Sequence, residues 1–264
     1  MTYQLLASGD GKKREQFGDF VIDRPCGQAV WKFPKGLGKA DASFSREEGK
    51  GWSGDRLPKE WTCDLEGITM RIQKTDFGHL GAFPEHATQS TFLKKHAKGR
   101  VLNLFAYSGW ATLFLAKHGI EVTHLDASKG MVDWARQNAK LNDLQDKPIR
   151  WIVEDAIKYL KREAKRGSLY DGVILDPPSF GRGAQGQVFK IERDIIELLQ
   201  HVKDVLVEDP SFVLFTCHTP GMTPICLEHL MDDVFGCGTM ESGEMVIDGK
   251  DRALPTGSFV RWVN

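Results

Sequence analysis

The sequence predicts an α/β protein: a mainly parallel, doubly wound sheet ending in an antiparallel hairpin, preceded by a small, mostly β domain. Three observations predict it. From about residue 100 onward, short apolar runs alternate with stretches of helical spacing. Before residue 90 turn residues are dense and the apolar runs are brief. Near the C-terminus the alternation gives way to two extended runs around a turn.

In order along the chain, residues 1–89 make the first expected domain, with a role in substrate recognition or in covering a cofactor. Its apolar runs are Phe20-Val21-Ile22, Ala29-Val30-Trp31 and residues 68–72, and residues 35–58 read as a surface excursion rich in Gly, Ser and charge. Residues 90–264 make the second. Residues 101–105, 121–125, 149–153, 172–175 and 212–216 read as buried strands. Residues 110–118, 129–141, 156–165, 190–207 and 224–234 follow them as helices, and residues 244–247 and 258–263 flank Asp248-Gly249-Lys250-Asp251 as a terminal hairpin.

Composition narrows the class. Hydrophobic residues make up 41% and charged residues 27% of 264, ordinary for a globular protein. No apolar run approaches the roughly 20 residues that span a bilayer. The first residues carry no basic lead and apolar stretch of a secretory leader. Cys26, Cys63, Cys217, Cys226 and Cys237 are odd in number and lack CxxC spacing. Free thiols in the cytoplasm are therefore expected, without disulfides, a metal site or a membrane anchor. The net charge is −1, with residues 1–100 holding 17 Lys+Arg against 13 Asp+Glu. That excess is too mild for a dedicated nucleic-acid module.

In an open parallel sheet, ligands bind outside the carboxyl ends of the strands. The first strand is followed by Phe105-Ala106-Tyr107-Ser108-Gly109, where the glycine permits a tight turn into the next helix. The second is followed by Asp126-Ala127-Ser128, in which Asp126 can cap a helix or accept the hydroxyls of a ribose. Asp155-Ala156 after the third offers the same choice between a cap and an acceptor for an adenine amine. The fourth ends in Asp176-Pro177-Pro178-Ser179-Phe180, where two prolines stiffen a loop that carries an acceptor and a stacking ring. The fifth ends in Thr216-Cys217-His218.

The segments NLFAYSG, LDAS and DPPSFG, in this order and spacing, resemble the class I SAM-dependent methyltransferases, in particular the bacterial 23S rRNA cytosine-C5 group. The likeness covers about residues 78–264. It implies a Rossmann-like catalytic domain, S-adenosyl-L-methionine as cofactor and an RNA base as acceptor. It further implies that Phe105, Ala106, Tyr107 and Gly109 wrap the methionine part, Asp126 with Ala127 the ribose, and Asp155 with Ala156 the adenine. Phe83 and Glu85 fall in a stretch that in this group lies beside the cofactor. Asp176, Pro177 and Phe180 would border the reactive methyl and the substrate.

Two departures accompany the resemblance. The generic loop of this fold has an acidic residue and three alternating glycines; here those positions are Asn103, Phe105, Tyr107 and Gly109. Residues 1–80 also do not resemble the RNA-binding PUA domain of the cytosine enzymes. Methylation of cytosine C5 requires a thiolate to add at C6 first, and Cys217 stands where that group keeps its nucleophile. A buried cysteine at a strand end is more often a small core residue than a nucleophile. Residues 181–187 read as a mobile loop with Arg182 available to an anion. A small-molecule or protein acceptor, and a binding protein without turnover, remain as alternatives. A nicotinamide enzyme would need a GxGxxG after the first strand, which the chain lacks.

Overall fold

The computed structural model describes residues 2–182 and 188–264. The chain divides into two compact units, Met1–Thr88 with Val246–Thr256, and Gln89–Met245 with Gly257–Asn264. Residues 246–256, part of the expected second domain, group with the first unit.

In the first unit, β1 (Tyr3–Gly9), β2 (Lys12–Phe17), β3 (Phe20–Pro25), β4 (Ala42–Phe44) and β5 (Trp52–Ser53) form one sheet in sequential order. β6 (Trp61–Leu65) and β7 (Ile68–Ile72) form a separate hairpin. The β1–β2 turn is Asp10-Gly11 and the β6–β7 turn Glu66-Gly67, all four residues at positive φ, which matches the twist of the flanking strands. Neither β1 nor β2 stands out in the sequence, because β2 reads Lys-Lys-Arg-Glu-Gln-Phe. Its charges are internally paired. The buried Glu15 carboxylate receives Arg24 Nη2 at 2.7 Å, Lys13 Nζ at 3.0 Å and the Tyr3 hydroxyl at 3.0 Å. Burial alone would raise the Glu15 carboxyl, but Arg24 and Lys13 outweigh it and hold it below the usual range. Ala29-Val30-Trp31 is no strand; it lies in an irregular segment that leaves Val30 82% exposed.

The second unit opens with α1 (Ser90–His96) and then alternates β8 (Arg100–Leu104), α2 (Trp110–Lys117), β9 (Glu121–Asp126), α3 (Lys129–Leu141), β10 (Ile149–Val153), α4 (Ala156–Arg166) and β11 (Gly172–Leu175). A short hairpin, β12 (Phe180–Arg182) and β13 (Val188–Lys190), precedes α5 (Ile191–Lys203), β14 (Phe212–Cys217) and α6 (Pro224–Phe235). β15 (Thr239–Ile247) and β16 (Leu254–Val263) close the chain. The seven-stranded sheet has the order β10-β9-β8-β11-β14-β16-β15. β10, β9, β8, β11 and β14 are mutually parallel, and β16 runs antiparallel to β14. Strand order reverses between β8 and β11, so the ligand crevice of such a sheet is expected there.

Local signals explain the helix ends. Ser128 caps α3 by accepting from Met131 N, Asp155 caps α4 through Lys158 N, and Thr223 caps α6, with Pro224 in its first turn. Helix α5 starts at Ile191 and stops at Lys203, shorter than the expected 190–207, because Lys190 belongs to β13 and Leu206 forms a bridge to Tyr170. The core joins Leu102, Leu104, Val173, Leu175, Val213 and Phe215 of the sheet to Leu198, Leu199 and Val202 of α5. No helix among the described residues is long and apolar enough to cross a membrane.

Candidate functional site

Register alone lines up the residues singled out in the sequence. Leu104 of β8 pairs with Leu125 of β9 and with Leu175 of β11, and Leu175 pairs with Phe215 of β14. The next residue on each strand is Asp126, Phe105, Asp176 and Thr216, so these four stand side by side along the carboxyl edge of the sheet.

The loop from β8 into α2 alternates its backbone hand. Phe105 (φ 56), Tyr107 (φ 49) and Gly109 (φ 91) are all left-handed. Only glycine adopts that conformation freely, and a bulky residue there carries on the order of 1–3 kcal/mol of strain. The three alternating positions thus keep the backbone that glycines would give them. Hydrogen bonds hold the shape: Ala106 N donates to Leu125 O at 3.0 Å, and Gly109 N to Ala106 O at 3.0 Å. A Cβ on Gly109 would lie 3.0 Å from Ala135 Cβ, so the glycine also lets α3 approach. Beneath the loop, Asn103 Nδ2 donates to Thr112 Oγ1 at 2.9 Å, and that hydroxyl lies 2.9 Å from Nδ1 of the fully buried His124. Burial pushes His124 down to about 3, so it is neutral at physiological pH.

Asp126 is not a helix cap; Ser128 fills that role. Its carboxylate instead accepts Ser128 N on Oδ1 at 2.8 Å and Tyr107 N on Oδ2 at 2.9 Å. Burial raises its pKa, and the two amide bonds offset this only in part. Each oxygen keeps a lone pair, so the group can still accept a pair of hydroxyls. Asp155 does act as a cap, its Oδ1 taking Lys158 N at 3.0 Å, with Ala156 buried behind it.

After β11, Asp176 Oδ1 accepts the Thr216 hydroxyl at 2.9 Å, and Oδ2 lies 3.7 Å from His218 Nε2. Pro177 is buried, whereas Phe180 is 49% exposed. Ser179 Oγ lies 2.7 Å from Thr219 Oγ1, which ties this loop to the one after β14. No local sequence pattern marks Thr216 or Thr219 as partners, nor Phe189. The Phe189 ring on β13 lies 5.9 Å from that of Phe105 and brings the β12–β13 hairpin onto the loop. Between them residues 183–187 lie outside the described residues, as does the Arg182 side chain, so the expected anion contact of Arg182 falls there too.

Cys217 lies in the core cluster. Successive residues of a strand face opposite sides. Cys217 joins Val213 and Phe215 in the core cluster and is 1% exposed, while Thr216 faces Asp176. Burial pushes its thiol above the ordinary value, and hydrogen bonds from Thr219 only moderate this. Phe83 and Glu85 belong to the first unit, where the Phe83 ring lies 5.2 Å from His79 and Glu85 is buried.

Comparison with known proteins agrees with this geometry. Residues 44–234 match the family of S-adenosylmethionine-dependent methyltransferases. A solved SAM-dependent methyltransferase from Agrobacterium tumefaciens is 36% identical, with a TM-score of 0.93 over 100% of this chain and 90% of that one. A structure from Streptococcus mutans, provisionally described as a SAM-dependent methyltransferase, shares the fold at 19% identity, with a TM-score of 0.79 over 99% of this chain and 75% of that one. The ribosomal RNA large subunit methyltransferase K/L of Aeromonas salmonicida is 31% identical over 173 residues, 64% of this chain but 24% of that enzyme. This chain thus spans about a quarter of the length of that curated relative. The chain belongs to the S-adenosylmethionine-dependent methyltransferase family, and S-adenosyl-L-methionine is its cofactor.

Proposed function

We propose that the chain transfers the methyl group of S-adenosylmethionine to a base of ribosomal or other structured RNA. The observation that carries this is the carboxyl edge of the sheet, where Asp126, the left-handed loop after β8 and Asp176 occupy neighbouring strand ends. The residues fit the cofactor. A desolvated carboxylate with lone pairs to spare suits a ribose diol, and a loop fixed without side-chain bulk at Gly109 suits a ligand lying against backbone. Phe105, Ala106, Tyr107 and Gly109 would hold the methionine part, Asp126 and Ala127 the ribose, and Asp155 and Ala156 the adenine. The bound cofactor supplies a methyl group on a positively charged sulfur.

The protein's own part is positioning and proton management. Pro177 and the half-exposed Phe180 make flat apolar walls suited to a base taken out of its stack. Asp176 Oδ2 accepts an N–H of that base and can pass a proton toward His218 Nε2, while Thr216 fixes Oδ1. A nitrogen acceptor needs no more than this. The core position of Cys217 speaks against covalent attack on cytosine C5, which requires an accessible thiolate. RNA as acceptor is supported by the name of the Aeromonas relative and by the base-sized setting around Phe180. A small-molecule or protein acceptor is favoured by one observation, the net charge of −1. The free thiols fit a cytoplasmic setting.

The test is transfer of tritium from methyl-labelled cofactor to RNA from cells lacking the protein, beside protein and small-molecule fractions. Label in RNA, mapped to a base, is the expected result. Firm cofactor binding with label only in another fraction would replace RNA as the acceptor.

A further inference from the structure

Residues 25–40 of the first unit run from the last residue of β3 as an irregular strap toward β4. The strap contains Lys32, Lys35 and Lys39 and no Asp or Glu. The unit as a whole is neutral, since residues 1–88 and 246–256 hold fifteen Lys+Arg and fifteen Asp+Glu. Its charge is therefore segregated, with a positive pole on the strap.

Backbone bonds pin the strap along its length. Asp10 N donates to Trp31 O at 2.6 Å, Gly11 N to Ala29 O at 2.8 Å, and Phe33 N to Asp10 Oδ2 at 3.1 Å. The Trp31 indole donates to Ser8 O at 2.9 Å, and Arg14 Nη1 to Gly38 O. A Cβ on Gly9 (φ 146) would come within 2.5 Å of Phe33 N, so the strap lies flush on the end of β1. Held this way, it keeps Val30 82% exposed and the Lys32 side chain 96% exposed. Lys12 Nζ sits 4.2 Å from the centre of the Phe33 ring, which brings one more partly exposed cation to the strap, while the Arg14 guanidinium, 5.5 Å from that ring, is buried.

The acids paired with these cations are Asp10, 3.7 Å from Lys32, and Asp23, which Arg14 and Lys12 share. Lys35 and Lys39 form no ion pair among the described residues, and both are exposed. The basic stretch on α4 differs. On α4, Lys161 pairs with Glu197, Arg162 with Glu154 and Arg166 with Glu163, so those charges are already answered. The strap thus presents an exposed valine in the same segment as two lysines without an ion pair, Lys35 and Lys39. Cations that track a phosphate backbone, interleaved with apolar and aromatic groups that meet base faces, are the chemistry of single-stranded RNA binding.

We infer that the strap 25–40 is an RNA docking surface, with Lys12, Lys32, Lys35 and Lys39 meeting phosphates and Val30 and Phe33 meeting bases. The inference rests on the RNA reading above and gives the first unit its part in it.

The test uses the full chain and a fluorescein-labelled RNA hairpin with a single-stranded tail. The variant Lys32→Gln/Lys35→Gln/Lys39→Gln changes only exposed side chains, and calorimetry should find its cofactor affinity unchanged. Its affinity for the hairpin should fall on the order of tenfold, and the slope of log K against log salt should shrink by about 2–3. Unchanged affinity and slope would overturn the strap, even where RNA is labelled in the tritium experiment. The expected losses, with label absent from RNA, would keep the strap and remove RNA as the methyl acceptor. Phosphatidylglycerol vesicles provide the other polyanion: if the variant loses vesicle binding while hairpin binding stays intact, RNA is the wrong partner.

Discussion

The backbone amide of Tyr107 donates to Oδ2 of Asp126 over 2.9 Å, although Tyr107 itself sits in the left-handed region at φ 49. One carboxylate thus stabilises a strained loop and is also the group proposed to receive the ribose. Cofactor binding and loop shape are coupled through it, so a change at either residue should be felt at the other.

Replacing Asp126 tests the coupling. Asp126→Ala should weaken cofactor binding by roughly 1–3 kcal/mol in calorimetry, since charge-assisted hydrogen bonds are lost. The pH dependence has a definite sign. Burial raises the folded pKa of Asp126 above its ordinary 3.8. Its contribution to stability is therefore complete below the unfolded value and is lost as pH rises through the folded one. Cofactor affinity runs the opposite way, because the ionised carboxylate is the acceptor. Acidification should stabilise wild type relative to Asp126→Ala while it lowers wild-type affinity. Unchanged affinity in the alanine variant would remove the ribose role.

The loop strain makes a contrast of two substitutions informative. Tyr107→Gly relieves the left-handed penalty but gives the unfolded chain more freedom, so apo stability should stay within about 1 kcal/mol of wild type. Tyr107→Val places a β-branched side chain at φ 49 and should be less stable than the glycine variant by roughly 1–3 kcal/mol. Urea unfolding of both measures the difference. A valine variant as stable as the glycine variant would mean that the loop can leave the left-handed region without penalty.

How much of this could be read beforehand differs by element. The parallel strands were legible because burial on both faces makes them continuous apolar runs, such as Val173-Ile174-Leu175. β2 was not, because its buried charges are satisfied by partners distant in sequence, Tyr3 and Arg24, which no local pattern reveals. The β12–β13 hairpin was hidden for another reason: its flanks are three residues each, and the segment between them is Gly- and Gln-rich. At the site, the order of strand ends placed Asp126 and Asp176. Strand alternation bears on Cys217. Thr216 and Cys217 must face opposite sides, and the run Val213, Phe215, Cys217 at every second position is a core face.

That placement yields its own expectation. Cys217→Ala should keep methyl transfer within a few-fold of wild type and lose roughly 1 kcal/mol of stability. The folded thiol is pushed above its ordinary value of 9.0, chiefly by burial. Its stabilising contribution is thus complete below that value and is lost as pH rises through the folded pKa. Wild type should lose its advantage over Cys217→Ala as pH is raised past about 9. Aromatic disulfide reagents should modify the exposed Cys237 well before Cys217. Abolished transfer in a folded Cys217→Ala would restore the covalent route and, with it, cytosine C5 as the target.

Asp176 separates chemistry from binding. Its Oδ1 is held by Thr216 and its Oδ2 faces His218, and it stands one strand away from the loop proposed to hold the methionine part. Asp176→Ala should therefore reduce turnover by on the order of 10²–10⁴-fold, the span expected for a positioned acid–base group. Calorimetry should show cofactor affinity largely retained. Thr216→Val should act in the same direction but more weakly, because it frees Oδ1 without removing the carboxylate. If Asp176→Ala bound the cofactor and still turned over at the wild-type rate, the reacting base would have to be held by another strand end. If Asp176→Ala weakened cofactor binding as much as Asp126→Ala, the residue would belong to the cofactor cradle, and a different group would have to accept the proton.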